Sequence, residues 1–122
     1  MEHQQRACKV DGAFLVSGCV TDLGEESERV SCYYPTQPDG SSRPWRWDLM
    51  KENARRIVHI GSSDDCFIPI EQMREIKRNL DLEDGHTYFE FDNQSHFMVD
   101  KSSELLKIIG RGIDDILKLT SP

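Results

Sequence analysis

Three short runs of apolar residues divide the chain, and each is rich in β-branched or aromatic side chains. They cover Ala13 to Val16, Ile57 to Ile60 and Tyr88 to Phe91, and small or polar residues follow each one. This composition is typical of strands. The first two runs are almost continuously apolar, as in strands covered on both faces of a parallel sheet, with His59 as the polar exception. The third run is more mixed, and we expect it nearer an edge.

Between the second and third runs the apolar residues follow a helical period. Pro69 comes just before them and suits the first turn of a helix. The apolar face of this predicted crossover helix comprises Ile70, Met73, Ile76 and Leu80. A further short helix is expected from Trp45 to Ala54, after the turn-rich stretch Pro35 to Pro44.

A broad apolar stripe near the end of the chain predicts a long final helix, with Ser102 or Ser103 as its cap. The stripe comprises Leu105, Leu106, Ile108, Ile109, Ile113, Ile116 and Leu117. Gly110 and Gly112 lie inside it and would each cost about 1 kcal/mol relative to alanine, so they indicate a kink or a close packing contact.

The predicted elements alternate in the order strand, helix, strand, helix, strand, helix. This order requires right-handed crossovers between parallel strands and predicts an α/β fold. About three parallel strands with flanking helices are few for such a sheet, and natural proteins normally cover the unpaired edges of a short sheet. We therefore interpret residues 1–122 as a single, incomplete domain that forms one side of a larger fold.

Composition narrows the range of functions. The 122 residues carry 15 Lys+Arg against 22 Asp+Glu, a net charge of -7 that disfavours binding to nucleic acid. A hydrophobic fraction of 37% beside 30% charged residues is typical of a globular chain and predicts no membrane association. No secretory signal is visible at the N terminus, which favours a cytoplasmic or nuclear location. Reduced thiols without metal-site spacing are expected at Cys8, Cys19, Cys32 and Cys66.

Polar residues with possible chemistry follow the second and third predicted strands. Asp64 and Asp65 come after Ile57 to Ile60, and His96 comes after Tyr88 to Phe91. Sites of open α/β sheets form at the carboxyl ends of strands. A role in capping the following helix or turn explains the two aspartates equally well. A lone histidine is more often an ordinary surface or core residue.

Considered together, Asp65 and His96 match the order of the Ser, Asp, His triad of α/β-hydrolases, whose last two members follow late strands. The segment between them is long enough for one helix and one strand. In such a triad the carboxylate accepts a proton from the imidazole Nδ1. The Nε2 atom is then free to deprotonate a serine and to protonate the leaving group.

Several motifs in series carry a resemblance to a known family. They are Phe14-Leu15-Val16-Ser17, Thr21-Asp22-Leu23-Gly24-Glu25, Glu28-Arg29, Arg43-Pro44-Trp45-Arg46-Trp47, Gly61-Ser62-Ser63-Asp64-Asp65 and His96-Phe97. From about Ala13 to Leu119 the chain resembles the C-terminal half of retinoblastoma-binding protein 9-like small serine hydrolases, a family of the α/β-hydrolase superfamily. The resemblance implies that Asp65 is the triad acid, His96 the triad base and Asp64 a structural neighbour.

Three departures from the family's pattern affect loops of the implied site. Cys66 stands where the family usually has proline, and Ser95 stands where glycine is usual. The stretch Thr36 to Ser42 looks like an insertion before Arg-Pro-Trp. The geometry of these loops is therefore expected to differ from the family's.

The sequence contains no recognisable nucleophile. The family's serine lies in a Gly-x-Ser-x-Gly turn between a strand and a helix, upstream of the strand that here is Ala13 to Val16. Gly61 to Asp65 and Gly40 to Pro44 are near matches, but both lack the second glycine. We therefore predict the C-terminal portion of a serine hydrolase, inactive alone and without a cofactor. The complete enzyme would act on a small ester or amide substrate.

The alternative is a non-catalytic interaction module derived from a truncated hydrolase. The open edge of the sheet would then bind a partner or a second copy of the chain, as in strand addition. The surface of Trp45 and Trp47 is another candidate, although packing explains these side chains better. A metal site of Asp64, Asp65, Cys66 and His96 is disfavoured, since no other clustered ligands accompany these residues.

Overall fold

Strands and helices alternate along residues 9–30, 33–35, 37, 39, 41, 43–97 and 103–120, the part of the chain that the computed structural model describes. In chain order they are strand β1 Ala13–Val16, helix α1 Glu26–Arg29, helix α2 Trp47–Asn53, strand β2 Ile57–Ser62, helix α3 Ile70–Asn79, strand β3 Tyr88–Phe91 and helix α4 Ser103–Thr120. The three strands form one parallel sheet in the order β1-β2-β3. The predicted α/β fold with about three parallel strands and flanking helices is confirmed.

Alternate side chains of the central strand β2 enter two different cores. Val58 and Ile60 pack against Ile108 of α4 on one face of the sheet. On the other face, Ile57 of β2 packs with the cluster that contains Ile76 of α3. Because both faces of β2 are covered, its apolar residues need no alternation with polar ones, as the sequence pattern indicated.

Two glycines permit close approach of neighbouring side chains. A Cβ atom on Gly61 of β2 would lie 2.1 Å from the Sδ atom of Met73, and one on Gly112 of α4 would lie 2.5 Å from a ring carbon of Phe14. A Cβ atom on Gly110 would meet nothing within 4 Å. Of the two explanations offered for the glycines of α4, the packing contact is therefore found at Gly112.

Several element boundaries differ from the sequence-based prediction. Strand β2 runs on to Ser62, because Gly61 and Ser62 continue the pairing with β3. Helix α2 begins at Trp47 instead of Trp45, whose indole N–H donates to the Val20 carbonyl at 2.9 Å. Pro69 is the N-cap of α3 and not part of its first turn. The short polar helix α1 was not predicted.

The two tryptophans pack against the body of the protein. Both are partly buried against the cluster of Val20, Ile76 and Leu80, and their ring centroids lie 5.9 Å apart. The packing explanation for Trp45 and Trp47 is therefore the one that the structure supports.

Two further expectations concern the cysteines and the membrane. Cys19 and Cys66 are free thiols, and Cys8 and Cys32 lie outside the described residues. None of the helices in the described part of the chain combines the length and the apolar character that crossing a membrane requires.

Candidate active site

Asp65 and His96 meet beyond the carboxyl ends of β2 and β3. The Oδ2 atom of Asp65 lies 2.8 Å from the Nδ1 atom of His96. The Asp65 side chain has no exposed surface, whereas 38% of the His96 side chain is exposed. The ring of Phe67 packs edge-on against the imidazole with the centroids 5.1 Å apart. The imidazole is thus held through its Nδ1 atom and remains open to solvent.

The Asp65 carboxylate also organises the loop that leads to α3. Its Oδ1 atom accepts the backbone N–H groups of Phe67 at 2.8 Å and Ile68 at 2.9 Å. The capping role considered for this aspartate and its pairing with a histidine are therefore both present. One oxygen accepts from the backbone of the turn, and the other accepts from the imidazole.

Hydrogen bonding keeps Asp65 ionised despite its burial. Burial alone would raise the pKa of this carboxyl. The hydrogen bonds from Ile68, His96 and Phe67 outweigh that effect and hold the pKa below its ordinary value. An ionised carboxylate can only accept hydrogen bonds, so the proton between the two side chains belongs to Nδ1 of His96. In the neutral imidazole, Nε2 then carries a free lone pair.

The backbone around His96 is unusual. Ser95 and Phe97 on either side of the histidine have φ values of 51° and 52°. This left-handed region costs about 1–2 kcal/mol for residues other than glycine. Ser95 therefore adopts the conformation expected of the glycine that is usual at its position in the family.

A second aspartate, Asp64, connects the two loops. Its Oδ1 atom accepts the Ser62 hydroxyl and, at 2.9 Å, the backbone N–H of Ser95. The Ser62 side chain is fully buried, and its Oγ atom accepts the backbone N–H of Gln94 at 3.1 Å. The hydrogen bond from Ser62, with a smaller contribution from the Ser95 N–H, lowers the pKa of Asp64. Asp64 thus caps no helix and bridges two loops instead.

Sequence reasoning did not identify the contributions of Ser62 and Ser95 to this arrangement. Ser62 is part of the Gly-Ser-x-Asp-Asp motif, so its position was visible, but its burial and its bond to the histidine loop were not. Ser95 contributes its backbone N–H, and the residue type at a position does not indicate that its backbone N–H has such a role.

None of the candidate serines that the structure describes lies in a sharp turn that joins a strand directly to a helix, since a loop separates Ser63 from the start of α3 at Ile70. Ser62 is the last residue of β2. Ser63 donates its backbone N–H to the Phe91 carbonyl at 2.7 Å. Ser17 follows β1 with a φ of 52°, and its buried hydroxyl has no hydrogen-bond partner among the described residues. The chain continues from Ser17 without a helix as far as Glu26. In the other near match, Gly40 and Ser42 lie outside the described residues.

The described ranges contain no group of three or more His, Cys, Asp or Glu side chains that could hold a metal ion. Cys66 is exposed. The polar contacts described above for Asp64, Asp65 and His96 are hydrogen bonds within and between the two loops.

Comparison with solved structures defines the class of fold. The ydeN gene product from B. subtilis superposes with a TM-score of 0.64 at 19% sequence identity, over 96% of this chain and 56% of that chain. The shared fold is α/β-hydrolase-like.

Sequence comparison adds a homologue. Over 101 residues, which are 83% of this chain, the sequence is 34% identical to serine hydrolase RBBP9 of Rattus norvegicus. The chain is a homologue of this serine hydrolase. The match covers 48% of the rat protein, so the chain spans about half the length of this curated relative. No family model matches the sequence.

Proposed function

We propose that this chain contributes the acid and the base of a Ser-Asp-His triad to a serine hydrolase of ester or amide bonds. The observation that carries the proposal is the 2.8 Å contact between Asp65 Oδ2 and His96 Nδ1. Buried Asp65 would orient the imidazole, and partly exposed His96 would face the reacting atoms. Homology to a serine hydrolase supports the same assignment.

In the proposed reaction, Nε2 of His96 takes the proton of a serine hydroxyl while the serine oxygen attacks the carbonyl carbon of the substrate. Asp65 stabilises the imidazolium that forms. The imidazolium then gives its proton to the departing alcohol or amine, which leaves an acyl-serine. Water, deprotonated by the same Nε2 atom, attacks the acyl group. The proton returns to the serine oxygen as the acid product leaves.

The serine in this proposal lies outside the sequence, as does the backbone that would stabilise the oxyanion. Residues 1–122 would then be an incomplete hydrolase domain, inactive alone, with no need of a cofactor. A cytoplasmic or nuclear location stays a prediction, and so does a small ester or amide as the substrate.

One observation favours the alternative of an interaction module. Strand β1 is at the edge of the sheet and pairs only with β2 among the described strands. Val10 and Val16 beside it are exposed. If this edge binds a partner strand, the isolated chain should self-associate in light scattering after gel filtration. A clean monomer at high concentration would argue against this candidate.

The hydrolase proposal is tested with a fluorophosphonate probe and a p-nitrophenyl ester. The chain alone should be neither labelled nor active. A fusion to the segment of the rat hydrolase that precedes the matched region should be active. In that fusion, His96→Ala should lower kcat by about 1,000-fold or more, while alanine at the exposed His86 should have little effect.

Two results would contradict the proposal. One is labelling of the unfused chain at Ser17 or Ser63. The other is a fusion whose ester hydrolysis survives the loss of the His96 imidazole.

A further inference from the structure

Hydrogen bonds tie the end of β2 and the loop after it to the end of β3 and the loop after it. The Ser63 N–H donates to the Phe91 carbonyl at 2.7 Å, and the Gln94 N–H donates to Ser62 Oγ at 3.1 Å. The Asp65–His96 contact is therefore the last of several bonds between the two loops. Its geometry depends on how the earlier bonds hold the backbone.

We propose that Asp64 is a positioning residue, which with the Ser62 hydroxyl fixes the backbone immediately before His96 and so aims the imidazole at Asp65. This inference rests on the proposed function. In this inference Asp64 acts only through neighbouring residues and does not contact the substrate.

The backbone conformation of Ser95 supports this role of Asp64. A left-handed serine persists only where its surroundings over-determine it. The backbone N–H of Ser95 donates to Asp64 Oδ1 at 2.9 Å. Without this acceptor Ser95 is expected to relax to a more common conformation. Because His96 is the next residue, such relaxation would move its Cα atom and its ring.

The Asp64 carboxylate is itself held in place. The buried Ser62 hydroxyl donates to the same Oδ1 atom that accepts from Ser95. Because Ser62 belongs to β2, the central strand fixes the position of the Asp64 carboxylate. Asp64 is otherwise exposed and contributes to neither hydrophobic core. Its removal should therefore disturb the histidine loop more than the fold.

The test measures how fast the Nδ1 proton of His96 exchanges with water, by NMR on the unaltered chain and its variants. Asp64→Ala should accelerate exchange about 10-fold or more, because loss of a charged acceptor makes local opening of the histidine loop less costly. Asp64→Asn keeps an acceptor oxygen and should stay close to the unaltered chain. Asp92→Ala removes an exposed carboxylate from the loop that carries His96 and serves as the matched control.

A general loss of folding is recognised separately, because it would change the backbone amide spectrum and the urea midpoint. The acceptor function predicts faster exchange in Asp64→Ala with the amide spectrum of the core unchanged. Exchange in Asp64→Ala within about twofold of the unaltered chain would overturn the inference, since loss of a hydrogen bond to a charged acceptor should have a larger effect. Equal exchange in Asp64→Asn and Asp64→Ala would overturn it too.

Asp65→Asn separates this inference from the proposed function. If it leaves the exchange rate of the His96 proton unchanged, the Asp65–His96 pairing fails and both proposals fail with it. If it accelerates exchange or removes the proton from Nδ1 while Asp64→Ala does neither, the pairing stands and only the positioning role of Asp64 is wrong.

Discussion

His59 should make the strand that carries the acid loop sensitive to acid. The residue is completely buried in β2, and its Nε2 atom accepts the Gly18 N–H at 3.0 Å. Its ring lies against Tyr88 with the centroids 5.7 Å apart. Burial lowers the pKa of His59 from 6.5 to about 4. The folded chain therefore holds this imidazole neutral over a pH range in which the unfolded chain protonates it.

The sign and the size of the effect follow from this difference in pKa. As the pH falls below 6.5, the unfolded chain takes up a proton that the folded chain accepts only near pH 4, so acid favours unfolding. From about pH 7 to about pH 4.5, His59 should lower the free energy of unfolding by about 2 kcal/mol. Carboxylates with lowered pKa values, including Asp65, lose their stabilising contribution at still lower pH.

Urea denaturation at the two pH values isolates the histidine. His59→Gln supplies a neutral side chain with an acceptor for the Gly18 N–H, and the exposed His86→Gln is the control. The difference in unfolding free energy between the unaltered chain and His59→Gln should change by about 2 kcal/mol between the two pH values. If the free energies of unfolding of the unaltered chain and His59→Gln changed in parallel with pH, the reasoning would be refuted.

Three further predictions concern stability in urea. Ser95→Gly should raise the free energy of unfolding by about 0.5–1 kcal/mol, because relief of the left-handed strain outweighs the added conformational entropy of the unfolded chain. A decrease would contradict the strain. Gly110→Ala should stabilise α4 by about 1 kcal/mol, whereas Gly112→Ala, which meets the Phe14 ring, should destabilise by about 1–3 kcal/mol; equal effects would contradict the packing. Asp65→Ala leaves two backbone N–H groups and an imidazole without their acceptor and should lower the free energy of unfolding by about 3 kcal/mol. An unchanged free energy of unfolding would contradict the hydrogen bonding described for the buried carboxylate.

The strands were predictable because their side chains report their surroundings. Apolar β-branched and aromatic runs located β1 and β3 with the bounds that the structure has. The two additional residues of β2 depend on pairing with β3, and the late start of α2 depends on the bond from Trp45 to Val20. These are tertiary interactions, which local periodicity does not encode.

The candidate site was predictable only in part. The order of Asp65 and His96 along the chain indicated that they meet, and the structure brings them together. The bridging function of Asp64 was not visible, because one of its donors is a backbone N–H. The left-handed backbone at Ser95 runs against the preference of a serine side chain. The catalytic roles of Asp65 and His96 stay predictions.

The most direct test of the account is the tautomer of the neutral His96 imidazole, read from its ring ¹⁵N resonances. If ionised Asp65 accepts from this ring, the proton resides on Nδ1 and Nε2 is the free base, and Asp65→Asn redistributes the proton toward Nε2. A proton found mainly on Nε2 in the unaltered chain, with no response to Asp65→Asn, would contradict the assignment of the acid and base of a serine hydrolase to these two residues.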